Sequence, residues 1–292
     1  MTSCFGGSQE KLFYFARGHW QTNWNHAILC RFCCNCECAE AAESLHGVEM
    51  KLLALVCFFF ALSYSAYSAA APQIFPTAAG DVKVTPLYHA SALIEAGGKT
   101  IYLDPSKPAK FVGSPKADLI LITDIHPDHM DPASMAEISK AGTDILAATA
   151  VVRTVTTAKP IANGETKTWQ GWTIEAIPAY NLNLTRGPAP GKLFHDKGRG
   201  NGYVLTYGGV RFYFSGDTEG VPEMRALKNI DVAFVCMNLP YTMPPDEAAE
   251  AVKAFRPKVV IPYHYRGSDL AVFQKRLEGT GIEVRLLDWY PQ

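Results

Sequence analysis

Two aspartates and two histidines fall within six residues of this chain, in Asp124-Ile125-His126-Pro127-Asp128-His129. Far downstream, Phe214-Ser215-Gly216-Asp217-Thr218 supplies another carboxylate, and His264 closes the run Val259-Val260-Ile261-Pro262-Tyr263. Imidazole nitrogens and carboxylate oxygens are what divalent metals take as ligands. A metal held this way lowers the pKa of its bound water to roughly 7, so hydroxide is available for hydrolysis at neutral pH. A lone Asp or His after a strand is more often a turn residue or a helix cap. Asp131, one residue before Pro132, reads as such a cap for a helix over 132–141. The remaining residues are too clustered for that explanation, and they read as a site for one or two divalent ions.

Rigid elements must position these side chains. Leu119-Ile120-Leu121-Ile122-Thr123 leads into the first cluster, Val210-Arg211-Phe212-Tyr213-Phe214 into the second, and the apolar run at 259–263 into His264. Each reads as a strand, so the candidate ligands stand where strands stop. Further strands are predicted near 82–87, 91–96 and 99–103, with Gly97-Gly98 as a hairpin turn. A strand at 144–147 and a helix starting near 148 follow. Two short strands flank Gln170-Gly171, and a hairpin over 202–207 and 210–215 turns at Gly208-Gly209. The end alternates strand 231–237, helix 245–255, strand 258–263, helix 268–278 and strand 282–287. Runs of strands followed by strand–helix alternation suit an α+β fold, a four-layer αββα sandwich.

The motifs resemble the metallo-β-lactamase superfamily of hydrolases, whose pattern is His-x-His-x-Asp-His, a distant His, an Asp in a Gly-Asp-Thr turn and a last His after a strand. The resemblance runs from about residue 82 to the C-terminus. Its opening, His89-Ala90-Ser91-Ala92-Leu93-Ile94-Glu95, then Gly97-Gly98-Lys99 and Tyr102-Leu103-Asp104-Pro105, is similar to the L-ascorbate-6-phosphate lactonase-like branch. The resemblance implies an αββα sandwich with metals in a cleft at one edge of the two sheets. It puts His126 on a first metal, Asp128, His129 and His264 on a second, and Asp217 between them.

The chain departs from that pattern in two places. The first His of the motif is Asp124, read as a direct ligand that opens the site to manganese or iron beside zinc, or alternatively as a group orienting His126. The strand Trp172-Thr173-Ile174-Glu175-Ala176-Ile177-Pro178 runs into Ala179-Tyr180-Asn181 with no His. The next imidazole, His195, is expected to fold back over the cleft as a ligand or substrate contact, with Asn181 as runner-up. Asp128 is the expected catalytic base. Lys197, Arg199, Asn238 and Tyr241 are candidate substrate contacts, and His89 reads as structural or as a support behind the ligands. The expected function is metal-dependent hydrolysis of a small-molecule ester, lactone or phosphodiester. A non-catalytic metal- or ligand-binding protein on the same fold is the alternative.

The 292 residues carry a net charge of −1, which gives no footing for a nucleic-acid partner. Six of the eight cysteines lie in residues 1–49, which show no sustained periodicity and read as upstream sequence or a Cys-rich extension. Met50-Lys51, the apolar run from Leu52 and the small residues up to Ala71 have the layout of a secretory signal peptide. Export to the periplasm or the medium is then expected; if 52–71 is retained it becomes a membrane anchor. Residues 72–81 read as a linker, and 82–292 as the hydrolase domain.

Overall fold

A computed structural model describes residues 71–291. The extension at 1–49 and the signal segment, Ala71 apart, lie outside the described residues. Among the described residues no helix is long and apolar enough to cross a membrane.

Two seven-stranded sheets carry the fold. The first contains β1 (Gln73–Phe75), β2 (Val82–Tyr88), β3 (Ser91–Ala96), β4 (Lys99–Leu103), β5 (Leu119–Ile122), β6 (Asp144–Ala147) and β7 (Lys159–Pro160), in that order. The second contains β8 (Thr166–Trp169), β9 (Trp172–Ala179), β10 (Gly200–Tyr207), β11 (Val210–Phe214), β12 (Val232–Cys236), β13 (Val259–Tyr263) and β14 (Glu283–Val284). In each sheet an antiparallel half gives way to a parallel half. β4, β5 and β6 run parallel in one sheet, and β11, β12 and β13 in the other.

Period-two alternation assigns the layers. Leu119 and Leu121 of β5 face the core between the sheets with Ile101 and Leu103 of β4. Ile120, Ile122 and Tyr102 point the other way, into a second cluster with Met135 and Ile138 of α1 (Pro132–Ile138). Both faces of these strands are therefore covered, which is why they read as unbroken apolar runs. α2 (Thr149–Val152) adds Val151 to the same outer layer. On the far side, α4 (Pro245–Phe255) and α5 (Leu270–Leu277) cover the second sheet, after the single turn α3 (Pro222–Arg225). The four-layer αββα sandwich expected from the sequence is present.

Several boundaries differ. Residues 72–81 are not only a linker: β1 pairs antiparallel with β2, and Phe75 is buried edge-on against Phe212 at 5.5 Å. α1 ends at Ile138, because Ser139 leaves helical geometry and its hydroxyl caps the Met135 carbonyl. The terminal strand shrinks to two residues at β14. Asp131 is the N-cap, its carboxylate accepting from the Ser134 amide at 2.9 Å.

Candidate metal centre

The parallel halves of both sheets end on the same side of the molecule. Asp104 follows β4, residues 123–129 follow β5, Asp217 follows β11, Asn238 follows β12 and His264 follows β13. Two hydrogen bonds join the sheets beneath them. The Tyr203 hydroxyl donates to the Ile122 carbonyl at 2.8 Å, and the Asn201 amide donates to the Thr123 carbonyl at 2.9 Å. Gly202 and Gly216 permit the close approach: a Cβ on Gly202 would sit 2.7 Å from the Ser215 carbonyl oxygen. Gly216 takes φ +61°, and its own Cβ would lie 2.5 Å from the Asn201 oxygen. That left-handed residue turns the chain so that Asp217 faces the first sheet.

Asp217 lies at the middle of the cluster. One oxygen, Oδ2, is 3.3 Å from His129 Nε2 and 3.0 Å from His195 Nε2; Oδ1 is 3.3 Å from His264 Nε2. On one flank stand Asp124, His126 and His195, with Asp124 Oδ2 2.9 Å from His126 Nδ1 and His195 Nε2 3.2 Å from the same nitrogen. On the other stand His129, His264 and Asp128, whose Oδ2 is 3.5 Å from His264 Nε2. Ligand atoms around one ion sit at about this spacing, given bonds of roughly 2.0–2.2 Å. Asp217 is thus placed to serve both flanks with its two oxygens.

The electrostatics call for cations at the centre. His129 Nε2, both nitrogens of His264 and Asp217 Oδ1 are buried without a hydrogen-bond partner, an arrangement that costs free energy unless something fills it. Burial alone would raise the Asp217 carboxyl, yet His264, His129 and His195 hold it well below the usual carboxylate range. Burial likewise disfavours a charged His129, but Asp217 and Asp104 outweigh it and push the imidazole well up. Burial opposes the Asp124 carboxylate too, and His126, His129, His195 and Arg199 bring it down to about 2. Either protons or metal ions must balance these carboxylates, and the orphaned nitrogen lone pairs suit metal ions.

Supporting groups fix the ligands. Asp104, fully buried, accepts from the Thr123 amide at 2.7 Å, the Thr123 hydroxyl at 2.6 Å and His129 Nδ1 at 2.8 Å. The proton on Nδ1 leaves the Nε2 lone pair free to point inward. Asn181 does the same for His195, its Oδ1 2.8 Å from Nδ1 and accepting from the His195 amide at 2.8 Å. Asn181, the runner-up as ligand, thus holds the His195 imidazole through its Oδ1. His89 Nε2 lies 3.3 Å from Asp128 Oδ2, its Nδ1 lies 2.7 Å from the Tyr290 hydroxyl, and its ring lies 3.7 Å from that of His264, tilted by 33°. Burial lowers His89 to about 4, so it is neutral at pH 7. Its strand belongs to the first sheet, but the cleft lies where both sheets end, so it reaches the centre. His89, Asp104 and His264 all adopt positive φ, between +46° and +54°. Strained backbone at three such positions marks a site the surrounding structure holds in place.

Around these groups opens a cleft of about 610 Å³. Its walls include His126, Asp128, His195 and Asp217, and also Asn238 and Tyr241, where the sequence expected substrate contacts. Two other expected contacts are engaged elsewhere. The Lys197 ammonium pairs with Glu223 at 2.8 Å on the surface and stacks over the Tyr180 ring, so it is turned from the cleft. Arg199 grips Asp124 with two hydrogen bonds, Nε to Oδ1 at 3.1 Å and Nη2 to Oδ2 at 3.0 Å, so its charge is spent on a protein carboxylate.

Residues 83–264 match the Beta-lactamase superfamily domain. The chain belongs to the metallo-β-lactamase superfamily. A metal-dependent hydrolase from Thermococcus onnurineus is 33% identical, covering 70% of this chain and 96% of its own. The crystal structure of a putative metal-dependent hydrolase from Parabacteroides distasonis superposes with a TM-score of 0.72 at 37% identity, covering 76% of this chain and all of that one. Igni18, a metallo hydrolase from Ignicoccus hospitalis, gives 0.58 at 26% identity, over 70% and 94% of the two chains. As a metallo-β-lactamase superfamily member the protein is a metal-dependent hydrolase, and the His and Asp clusters above are its candidate divalent-metal ligands. Sequence reasoning did not assign the supporting role of Asp104 or the pairing of Arg199. The Tyr102-Leu103-Asp104-Pro105 run was the available signal for the first; nothing local marks the second.

Proposed function

We propose that this protein hydrolyses a small-molecule ester, lactone or phosphodiester at two divalent metal ions, zinc foremost and manganese or iron as alternatives. The observation that carries this reading is Asp217 standing between two His/Asp clusters, 3.0 Å from His195 on one side and 3.3 Å from His129 and His264 on the other, where the buried nitrogens of His129 and His264 have no hydrogen-bond partner. Asp124, His126 and His195 would hold the first ion. Asp128, His129 and His264 would hold the second, and Asp217 would bridge. When bound, the ions supply an activated water and a Lewis acid for the scissile carbonyl or phosphoryl oxygen.

The chain's own groups do the rest. Burial opposes a charged Asp128, yet the nearby His264 imidazole and the hydrogen bond from His89 hold its carboxyl well below the usual range. It is 44% exposed on the cleft side. Facing the cleft, Asp128 is placed to orient a water there and to act as its proton acceptor in this reading. Neutral His89 donates from Nε2 to Asp128 Oδ2, with Nδ1 accepting from Tyr290, which fixes the carboxylate plane. Phe194, Leu239 and Tyr241 give the cleft an apolar wall suited to the non-reacting part of a small substrate. The test is metal analysis of the purified protein with a screen of lactones, esters and phosphodiesters. Bound metal with turnover of one class supports the reading; protein free of metal under saturating zinc or manganese overturns it.

We also read residues 50–71 as an export signal, with processing within Ala66–Ala71. N-terminal sequencing of the mature protein tests this, and a mature chain that retains Met50 would overturn it.

A further inference from the structure

The Asp124–Arg199 pair is unlike anything else in the centre. Asp124 is 2% exposed and stands where the superfamily pattern has its first imidazole. Its Oδ1 is occupied by Arg199 Nε, and its Oδ2 accepts from Nη2 while facing His126 Nδ1 at 2.9 Å and His195 Nε2 at 3.9 Å. The guanidinium continues past the carboxylate, with Nη2 3.5 Å from His126 Nε2. The backbone holds the two residues together. Arg199 directly precedes β10, whose start is tied to the end of β5 by the Asn201–Thr123 hydrogen bond. Gly200 leaves only a narrow gap there: a Cβ at that position would lie 3.3 Å from the Thr123 oxygen and 3.4 Å from Asp124 Oδ1.

We propose that Asp124 and Arg199 act as one unit, a neutral oxygen ligand that takes the place of an imidazole in the first metal site. An imidazole offers a metal one lone pair and no net charge. A lone buried carboxylate would add a full negative charge and two competing oxygens. Two parallel hydrogen bonds from Arg199 cancel the charge and fix the carboxylate plane. Oδ1 is tied up by Nε, and Oδ2, beside its bond from Nη2, faces His126 and His195. Arg199 is thus a positioning residue for a ligand, and its cation is harmless to a metal only while Asp124 is present. The inference rests on the reading that the first ligand set holds a metal.

Asp124→His restores the superfamily residue but strands the Arg199 guanidinium beside two imidazoles and a dication. Like charges this close disfavour the bound cation. The first site of Asp124→His should weaken by about 10- to 100-fold, the range for losing an outer partner of a ligand. Adding Arg199→Met removes the stranded charge and keeps an unbranched stem, so the double variant should recover most of that loss.

The experiment loads wild type, Asp124→His and Asp124→His/Arg199→Met with zinc and, separately, manganese. Stoichiometry is measured by elemental analysis and first-site affinity by chelator competition. Retention of the second-site equivalent shows that each variant is folded. Two equivalents in wild type, one in Asp124→His and two again in the double variant would support the proposal. Equal first-site affinity in the single and double variants would overturn it. So would a wild type holding a single equivalent, which would mean that the guanidinium excludes the first ion. Wild type that binds no metal at all would instead sink the functional reading beneath it.

Discussion

At the scale of single residues the centre is a set of charges that must be balanced together. Asp217 has the most partners, because three imidazoles approach its two oxygens. Asp217→Ala should lose most of the bound metal at both positions, whereas His264→Ala should lose mainly the second ion. Elemental analysis of the two purified variants checks this, and wild-type content in both would overturn the ligand assignment. Asp104 touches no candidate ion, yet it sets the proton on His129 Nδ1. In Asp104→Asn the amide can donate to Nδ1 and turn the inward nitrogen into the protonated one. Second-site affinity should fall about 10- to 100-fold, read by chelator competition with the first site as internal control. Away from the metals, burial pushes the Cys236 thiol up to about 11, and the thiol donates to the Thr218 carbonyl. It lies fully buried at the end of β12.

At the scale of elements, the turns after strands decide where ligands point. Gly216 holds φ +61° with no room for a Cβ, since the obstacle is the Asn201 backbone rather than a flexible side chain. Gly216→Ala should cost about 1–3 kcal/mol in strain alone and should reduce metal content by shifting Asp217. A variant with wild-type melting temperature and metal content would contradict that. The cap of α1 supplies a test with a pH signature. The Ser134 hydroxyl and amide hold the Asp131 carboxyl below its ordinary range. A folded value below the unfolded one means that the cap's contribution is complete above about pH 4 and is lost as pH falls through the lowered value. Asp131→Ala should cost about 1 kcal/mol at pH 7. Asp131→Asn keeps the cap and removes the titration, so the wild-type advantage over Asp131→Ala should shrink in acid while that of Asp131→Asn should not. Denaturant melts at two pH values decide it.

At the scale of the whole molecule, the two sheets are held together by the apolar core between them and, beneath the site, by Tyr203 and Asn201. β1 belongs to that core through Phe75. A chain beginning at Pro72 should fold and bind metal. One beginning at 82 loses Phe75 and uncovers β2, at a cost of about 3 kcal/mol, or about 6–12 °C in melting temperature. Equal melting temperatures for the two fragments would show that β1 contributes nothing. Because the ligands come from both sheets, metal binding should also act as a clamp. Stripping the protein with a chelator should lower the melting temperature, and zinc or manganese should restore it in a concentration-dependent way. Calorimetric scans with and without chelator test that linkage.

The candidate ligands are legible in the sequence because each follows a strand made mostly of apolar residues. Parallel strands covered on both faces leave that mark, and the chemistry must then sit where they stop. Asp124, His126, Asp128, His129, Asp217 and His264 could all be read this way, and so could the αββα layering. What the sequence left open lies in long-range approach. His195 sits in a long loop with no periodicity, and only its contacts with Asn181 and Asp217 bring it inward. Lys197 and Arg199 look alike in the sequence, two cations two residues apart. The folded chain gives one a surface carboxylate and the other a buried one. Local propensity cannot distinguish them, because the difference lies in Glu223 and Asp124, 26 and 75 residues away along the chain. His89 follows a strand of the first sheet, and it reaches the cleft because both sheets end there. Strand order and register, set by core packing between distant segments, decided those partners.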